Sequence, residues 1–195
     1  MLIDLHCHTQ PLSTCSALTA PDLLRLAAER GLDGVCLTEH DRAWNQDQLE
    51  ELRKASPVAV FAGVELTTDL GHVLAFGLEP AGFSAIAREV FEAAEATGAL
   101  LFLAHPARDG HLRITHETVA FFESVEAING SDSKLKNLAA TGLAKGFRRP
   151  GIGGSDAHAE EEVGRAATHF ESNITTDAEL LAALKSGNYE ATSLP

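Results

Sequence analysis

The chain has 195 residues, 45% of them hydrophobic, which suits a single domain spanning 1–195 with a sizeable core. Its formal charge of −13 excludes a broad basic face that would track a nucleic-acid backbone or an anionic membrane. Cys7, Cys15 and Cys36, an odd number with no export segment before them, exclude a disulfide framework and predict a reducing, cytoplasmic setting. No apolar stretch approaches the length needed to cross a bilayer.

Leu2 to Leu5 reads as a first strand that delivers His6 and His8, whose side chains at i and i+2 emerge on one face. Thr19 caps a helix with Pro21 in its first turn and Asp22 at the capping-box position, and Gly31 ends it. Asp33 to Thr38 is the next strand and runs into Glu39-His40-Asp41. A helix around Gln46 to Lys54 precedes a strand from Val58 to Val64 that ends at Glu65, and another strand from Val73 to Phe76 starts after His72. A helix from Ser84 to Ala96 leads into the apolar run Ala99 to Ala104, which stops at His105-Pro106. Helix signals return from Thr115 to Phe122, followed by a strand over Val125 to Ile128 and a helix over Ser133 to Lys145. The strand from Pro150 to Gly153 opens into Gly154-Ser155-Asp156-Ala157-His158, and a strand over Ala166 to Phe170 follows. Thr176 with Glu179 makes a second capping box before a final helix that ends at Gly187.

Strands alternating with amphipathic helices predict a parallel α/β sheet. Acids and imidazoles at successive strand ends converge only if the sheet closes, so a barrel with its site at the strand C-terminal ends is favoured over an open sheet. About seven strand–helix units fit the length. Neutral imidazole and carboxylate are the ligands that borderline and harder divalent cations prefer, and together they predict a polynuclear metal site. Three divalent ions would also offset six of the negative charges. Any one of these histidines alone reads as a satisfied core residue or a helix cap; the ordered set reverses that.

That set is His6-Cys7-His8, Glu39-His40-Asp41, Gly63-Val64-Glu65, Gly71-His72, Ala104-His105-Pro106 and Gly154-Ser155-Asp156-Ala157-His158. In it the chain resembles the PHP (polymerase and histidinol phosphatase) superfamily of metal-dependent phosphoesterases along essentially its whole length. The resemblance implies a distorted (β/α)7 TIM-like barrel with two to three divalent ions of zinc, manganese or iron. By similarity His6, His8, Glu65 and Asp156 hold the first metal, and His40 and His158 the second. Glu65 bridges to a third, completed by His72 and His105. The family often completes the second metal with a further histidine or aspartate soon after the first pair. Here that stretch is Pro11-Leu12-Ser13-Thr14-Cys15-Ser16, which leaves Cys15, Asp41 or water for the role, with a buried inert thiol as the alternative for Cys15.

The implied activity is hydrolysis of a phosphomonoester or phosphodiester of a small molecule or nucleotide, with solvent activated by the ions as nucleophile. Arg108, three residues past His105, is the first candidate to neutralise phosphate oxygens; Arg42, Arg113 and Lys134 are weaker ones, and ordinary surface charge is the alternative for all four. His158 or Asp156 would shuttle the leaving-group proton. His111, His116 and His169 fit no motif. Two other functions remain in play: a non-catalytic or regulatory metal module, and hydrolysis of an amide or ester. Oligomeric state is not readable from the chain.

Overall fold

The computed structural model describes residues 1–108, 115 and 119–195. Nine strands form one sheet: β1 (Leu2–Cys7), β2 (Gly34–Leu37), β3 (Ala59–Thr68), β4 (Gly71–Phe76), β5 (Leu100–Leu103), β6 (Ser124–Asn129), β7 (Ile152–Gly154), β8 (Ala166–Phe170) and β9 (Tyr189–Ser193). Their order is β7-β6-β5-β4-β3-β2-β1-β8-β9. The sheet curls until its β7 end returns to β1. There the Asp156 N–H donates to the His6 carbonyl at 2.7 Å, the His8 N–H donates to the Ala157 carbonyl at 3.1 Å, and Cys7 bridges Ala157 in parallel. The result is a nearly closed, TIM-like barrel, as the alternation of elements predicts.

Helices α1 (Ala20–Glu29), α2 (Gln46–Ala55), α3 (Ala87–Thr97), α4 (Lys134–Ala144) and α5 (Asp177–Ser186) accompany the strands. Their ends follow local chemistry. The side chains of Thr19, Asn45, Ser133 and Thr176 each accept a backbone N–H of the first turn, and Thr176 and Glu179 complete a capping box. Gly98 and Gly187 close α3 and α5 in the left-handed region, both at φ 77°, where a side chain would be strained.

The strands split their apolar side chains by parity. On β4 and β5, Leu74, Phe76, Leu100 and Phe102 join Ile3, Leu5 and Phe61 in an inner cluster that Leu180 and Leu184 of α5 cover. Val73, Ala75, Leu101 and Leu103 instead pack outward with Val90 and Ala94 of α3. Glu65 shares a face of β3 with Phe61 and pairs with Leu74, so it tops the inner apolar cluster.

Two features depart from the sequence expectation. β3 does not end at Glu65 but continues to Thr68, turns tightly, and pairs antiparallel with β4. His72 therefore stands at the N-terminal end of a reversed strand and still faces the same mouth. β8 and β9 also add antiparallel pairs beside β1, and β9 was not foreseen. Of the helix expected over residues 115–122, residues 116–118 lie outside the described residues.

Candidate metal centre

His6 and His8 leave the end of β1, where the register with β2 shifts between Asp4 and Cys7. Both rings are fully buried, and their Nε2 atoms lie 3.0 Å apart. Asp156 Oδ1 stands 3.4 Å from His6 Nε2 and 3.2 Å from His8 Nε2; Glu65 Oε2 stands 3.4 and 3.3 Å from the same atoms. Two donors held about 2.1 Å from one ion at roughly 90–110° to each other lie about 3.0–3.4 Å apart. All five separations fit that spacing. Glu65 Oε2 is also buried without a hydrogen bond, although His40 Nδ1 approaches to 2.9 Å. The nitrogens surround the oxygen without aligning an N–H towards it. Lone pairs converging on a common point are what a cation would satisfy and a proton would not.

Charge is shared among these side chains. Burial alone would raise the Glu65 carboxyl, but the His6 imidazole and contacts from His105 and His40 hold it well below the usual carboxylate range. Burial alone would lower His6, but Glu126, Asp156 and Glu65 keep it well above the ordinary histidine value.

Glu65 turns its other oxygen the opposite way. Oε1 lies 2.9 Å from His72 Nδ1 and 2.9 Å from His105 Nε2. His40, Glu65 and His72 form one set of donors within reach of a shared ion, and His8, His40 and His158 form another. Rings stack across these sets, His8 on His40 at 4.1 Å and His8 on His158 at 4.4 Å between centroids. All eight imidazole and carboxylate residues named from the sequence thus meet at one mouth. Cys15 does not join the three sets; it is exposed. Asp41 is exposed too, and its Oδ1 accepts the Thr67 N–H at 2.7 Å. The Pro11–Ser16 stretch brings in Ser13 instead, whose hydroxyl lies 3.4 Å from His8 Nδ1 and accepts the His40 N–H at 3.2 Å. Backbone strain concentrates here. Asp41, His105 and Asp156, at φ 53°, 27° and 54°, are the non-glycine residues in the left-handed region among those described.

A buried polar shell holds these side chains, and sequence reasoning missed most of it. Glu126 Oε1 lies 2.9 Å from His6 Nδ1, which leaves Nε2 facing the centre, while Oε2 accepts the His105 N–H at 2.8 Å. Asp4 Oδ1 accepts the N–H groups of His6 and Ser155, tying β1 to the turn after β7, and burial pushes its carboxyl up to about 6. The signal was available: Asp4 and Glu126 each interrupt an otherwise apolar strand, and a lone acid there needs a partner. Glu39, fully buried, accepts from the Thr9 N–H and hydroxyl, the Ser13 hydroxyl and Trp44 Nε1. Glu39→Gln places an amide among these donors and is expected to cost about 1–3 kcal/mol. Urea unfolding followed by Trp44 fluorescence, which is unambiguous because Trp44 is the single tryptophan, checks this; an unchanged midpoint would contradict it.

Arg108 does not project into open space. Its Nη2 lies 2.7 Å from Asp156 Oδ2 and donates to Asn129 Oδ1 at 3.0 Å, and Nε donates to Asp132 at 2.9 Å. This explains why Asp156, which burial alone would raise, is held well below the usual range by His6, His8 and Arg108. Arg108, expected from its sequence place to grip phosphate, contacts Asp156 directly in this geometry. Arg108→Ala is therefore expected to weaken metal retention about 10–100-fold, measured by competition with a chelator. A raised KM with metal retention unchanged would restore the phosphate-grip role. Arg42 and Lys134 are exposed, as is His169 on β8; His111, Arg113 and His116 lie outside the described residues.

A barrel whose mouth gathers imidazoles and acids around one bridging glutamate defines a candidate polynuclear metal protein. The family model described as "PHP domain" matches residues 4–127, and one described as "PHP-associated" matches residues 134–189. The chain belongs to the PHP-domain family. Among solved structures it is similar to a two-domain protein from Bacteroides vulgatus described as containing a PHP-like metal-dependent phosphoesterase, at 22% identity and a TM-score of 0.74. That match covers 99% of this chain and 64% of the other. PsfC from Pseudomonas syringae matches at 20% identity and a TM-score of 0.76, covering 99% and 91%. Endonuclease Q, solved with a DNA duplex bearing an abasic lesion, matches at 19% identity and a TM-score of 0.65, covering 97% and 58%. No curated protein matches the chain. Family membership and the donor clusters together support a metal-dependent hydrolase. Among the described residues no helix is long and apolar enough to cross a membrane.

Proposed function

We propose that this chain is a phosphoesterase that hydrolyses a phosphomonoester or phosphodiester of a small molecule or nucleotide with two to three divalent ions of zinc, manganese or iron. The observation that carries the reading is Glu65, whose two buried oxygens face two separate groups of imidazoles. His6, His8, Glu65 and Asp156 would hold the first ion, His40 and His158 the second, and Glu65, His72 and His105 the third. When bound, the ions supply Lewis acidity at the phosphoryl oxygens and activate solvent for attack.

The chain's own residues supply position and access. Glu126 and Ser13 fix the tautomer and tilt of His6 and His8 through their Nδ1 atoms. His158 Nδ1 is held by the Asp156 carbonyl at 3.0 Å, so its other nitrogen turns to the mouth. Asp156 has both oxygens committed, Oδ1 towards His6 and His8 and Oδ2 on Arg108, which makes it a ligand rather than a proton carrier. At the rim His40, His72 and His158 keep roughly a third of their side chains exposed, which admits solvent to carry the leaving-group proton. The same exposure separates the site from a closed structural one and disfavours a purely architectural role.

Engagement of Arg108 by two carboxylates keeps one second reading alive, hydrolysis of an amide or ester, because that guanidinium is held by Asp156, Asp132 and Asn129. A panel of phosphomonoesters, phosphodiesters, amides and esters, assayed with protein loaded with manganese or zinc, tests both. Metal-dependent cleavage of a phosphoester is expected, with phosphate released from a monoester or a monoester and alcohol from a diester. Turnover confined to the carbonyl substrates would transfer the assignment, and no turnover in any class would overturn it.

A further inference from the structure

We propose that Arg42, on the segment after β2, grips the phosphoryl oxygens of the substrate at the mouth. The inference rests on the phosphoesterase reading above and names the cation that reading still needs, since Arg108 is held by Asp156, Asp132 and Asn129. Attack on a phosphate ester leaves charge spread over the non-bridging oxygens, and a planar guanidinium can meet two of them at once.

Arg42 differs from the other arginines in having its donors free. In this chain 28 acids outnumber 15 lysines and arginines, so carboxylate partners abound. Among the described residues every other arginine contacts an acid, a backbone carbonyl or an aromatic ring. Arg42 makes no such contact, and it is exposed. The acids beside it in sequence and across on β3 are already engaged. Asp41 Oδ1 accepts the Thr67 N–H at 2.7 Å, Glu39 receives Thr9, Ser13 and Trp44, and Glu65 is ringed by imidazoles.

Exposure alone describes ordinary surface charge, so position decides. His40 bridges Glu65 in parallel, the Asp41 N–H donates to the Glu65 carbonyl at 2.9 Å, and Asp41 turns in the left-handed region at φ 53°. Arg42 therefore follows a residue whose backbone is bonded to that of the bridging glutamate. Two peptide steps, at most about 7.6 Å between Cα atoms, separate it from His40. Two residues further on, Trp44 Nε1 donates to Glu39 Oε1 at 2.9 Å. The segment is thus fixed at both ends, and a guanidinium that no described residue holds is within reach of the mouth.

The test reads phosphate binding rather than turnover. Inorganic phosphate is titrated by calorimetry into protein loaded with manganese, and bound metal is counted in each variant by mass spectrometry. Arg42→Ala is expected to weaken phosphate binding about 10–100-fold with the metal count unchanged, and Arg42→Lys, which keeps the charge without the fork, to recover only part of that loss. Arg25→Ala, which removes a cation paired with Glu29 on α1, should change neither quantity. Phosphate affinity in Arg42→Ala equal to that of the unaltered protein would overturn the inference, as would loss of metal from both Arg42 variants, an equal weakening in Arg25→Ala, or no phosphate binding by the unaltered protein. Arg42-dependent phosphate binding without any phosphoester turnover would uphold this inference while the proposed function fails. Phosphoester turnover that Arg42→Ala leaves unchanged would do the reverse.

Discussion

Glu65→Gln is expected to lower kcat/KM on any active phosphoester by about 10³-fold or more, equivalent to about 4 kcal/mol of transition-state stabilisation, and to release metal from more than one position. The reason lies in how the carboxylate is shared. Oε2 is surrounded by His6, His8 and His40, and Oε1 by His72 and His105, so one side chain sets the separation of two imidazole groups. Glutamine keeps the shape but loses the charge, and its amide nitrogen must face nitrogens on one side. Metal that binds only the folded state also stabilises it, by about 4 kcal/mol at a free concentration near 1,000 times Kd. The unaltered protein should therefore melt higher with metal than without, and Glu65→Gln should lose most of that difference. Thermal unfolding with and without metal, beside elemental analysis, measures this. A variant that still binds the full complement of ions would show that Glu65 is not the bridge.

Much of this centre was legible in the chain because most of these side chains stand at or just past the end of an apolar run that folds as a buried strand. His6 near the end of β1, His8 after it, His40 after β2, His105 after β5 and Asp156 after β7 all sit where period and propensity place them. Glu65 and His72 also stand at the mouth but within elements other than the expected ones. The β3–β4 pair reads as two separate strands because Val58–Val64 and Val73–Phe76 are apolar while the intervening Leu66–His72 mixes polar and small residues; only pairing across the hairpin extends both strands. β9 was invisible for a similar reason, since Tyr189–Ser193 carries Glu190 and gains its order from β8. The supporting acids were the largest omission. Glu39, Glu126 and Asp4 are buried by contacts with residues up to 151 positions away, as from Ser155 to Asp4, and no local pattern encodes such partners. Arg108 was found by position, but the sequence shows its charge and not the Asp156 and Asp132 carboxylates it contacts.

Two glycine substitutions should move stability in opposite directions and show how tightly the centre is built. At Gly154, the last residue of β7, a Cβ would stand 2.4 Å from the Cβ of His6 and 2.7 Å from its backbone nitrogen. Neither atom can swing aside, because the His6 ring is held between Glu126 and Glu65 and its backbone carbonyl accepts the Asp156 N–H. Gly154→Ala must therefore separate β7 from β1, where the barrel closes and His6 meets Asp156. A loss of about 3 kcal/mol or more is expected, a fall in melting temperature of about 6–12 °C, accompanied by weaker metal binding. Gly142, by contrast, lies exposed inside α4 with nothing within 4 Å of the added carbon. There alanine improves helix propensity and restricts the unfolded chain, so Gly142→Ala should raise stability by about 0.5–1 kcal/mol without touching metal content. Calorimetry on both variants decides the matter. If Gly154→Ala melts with the unaltered protein and keeps its metal, the close passage of β7 over His6 is not what holds the ligands in register.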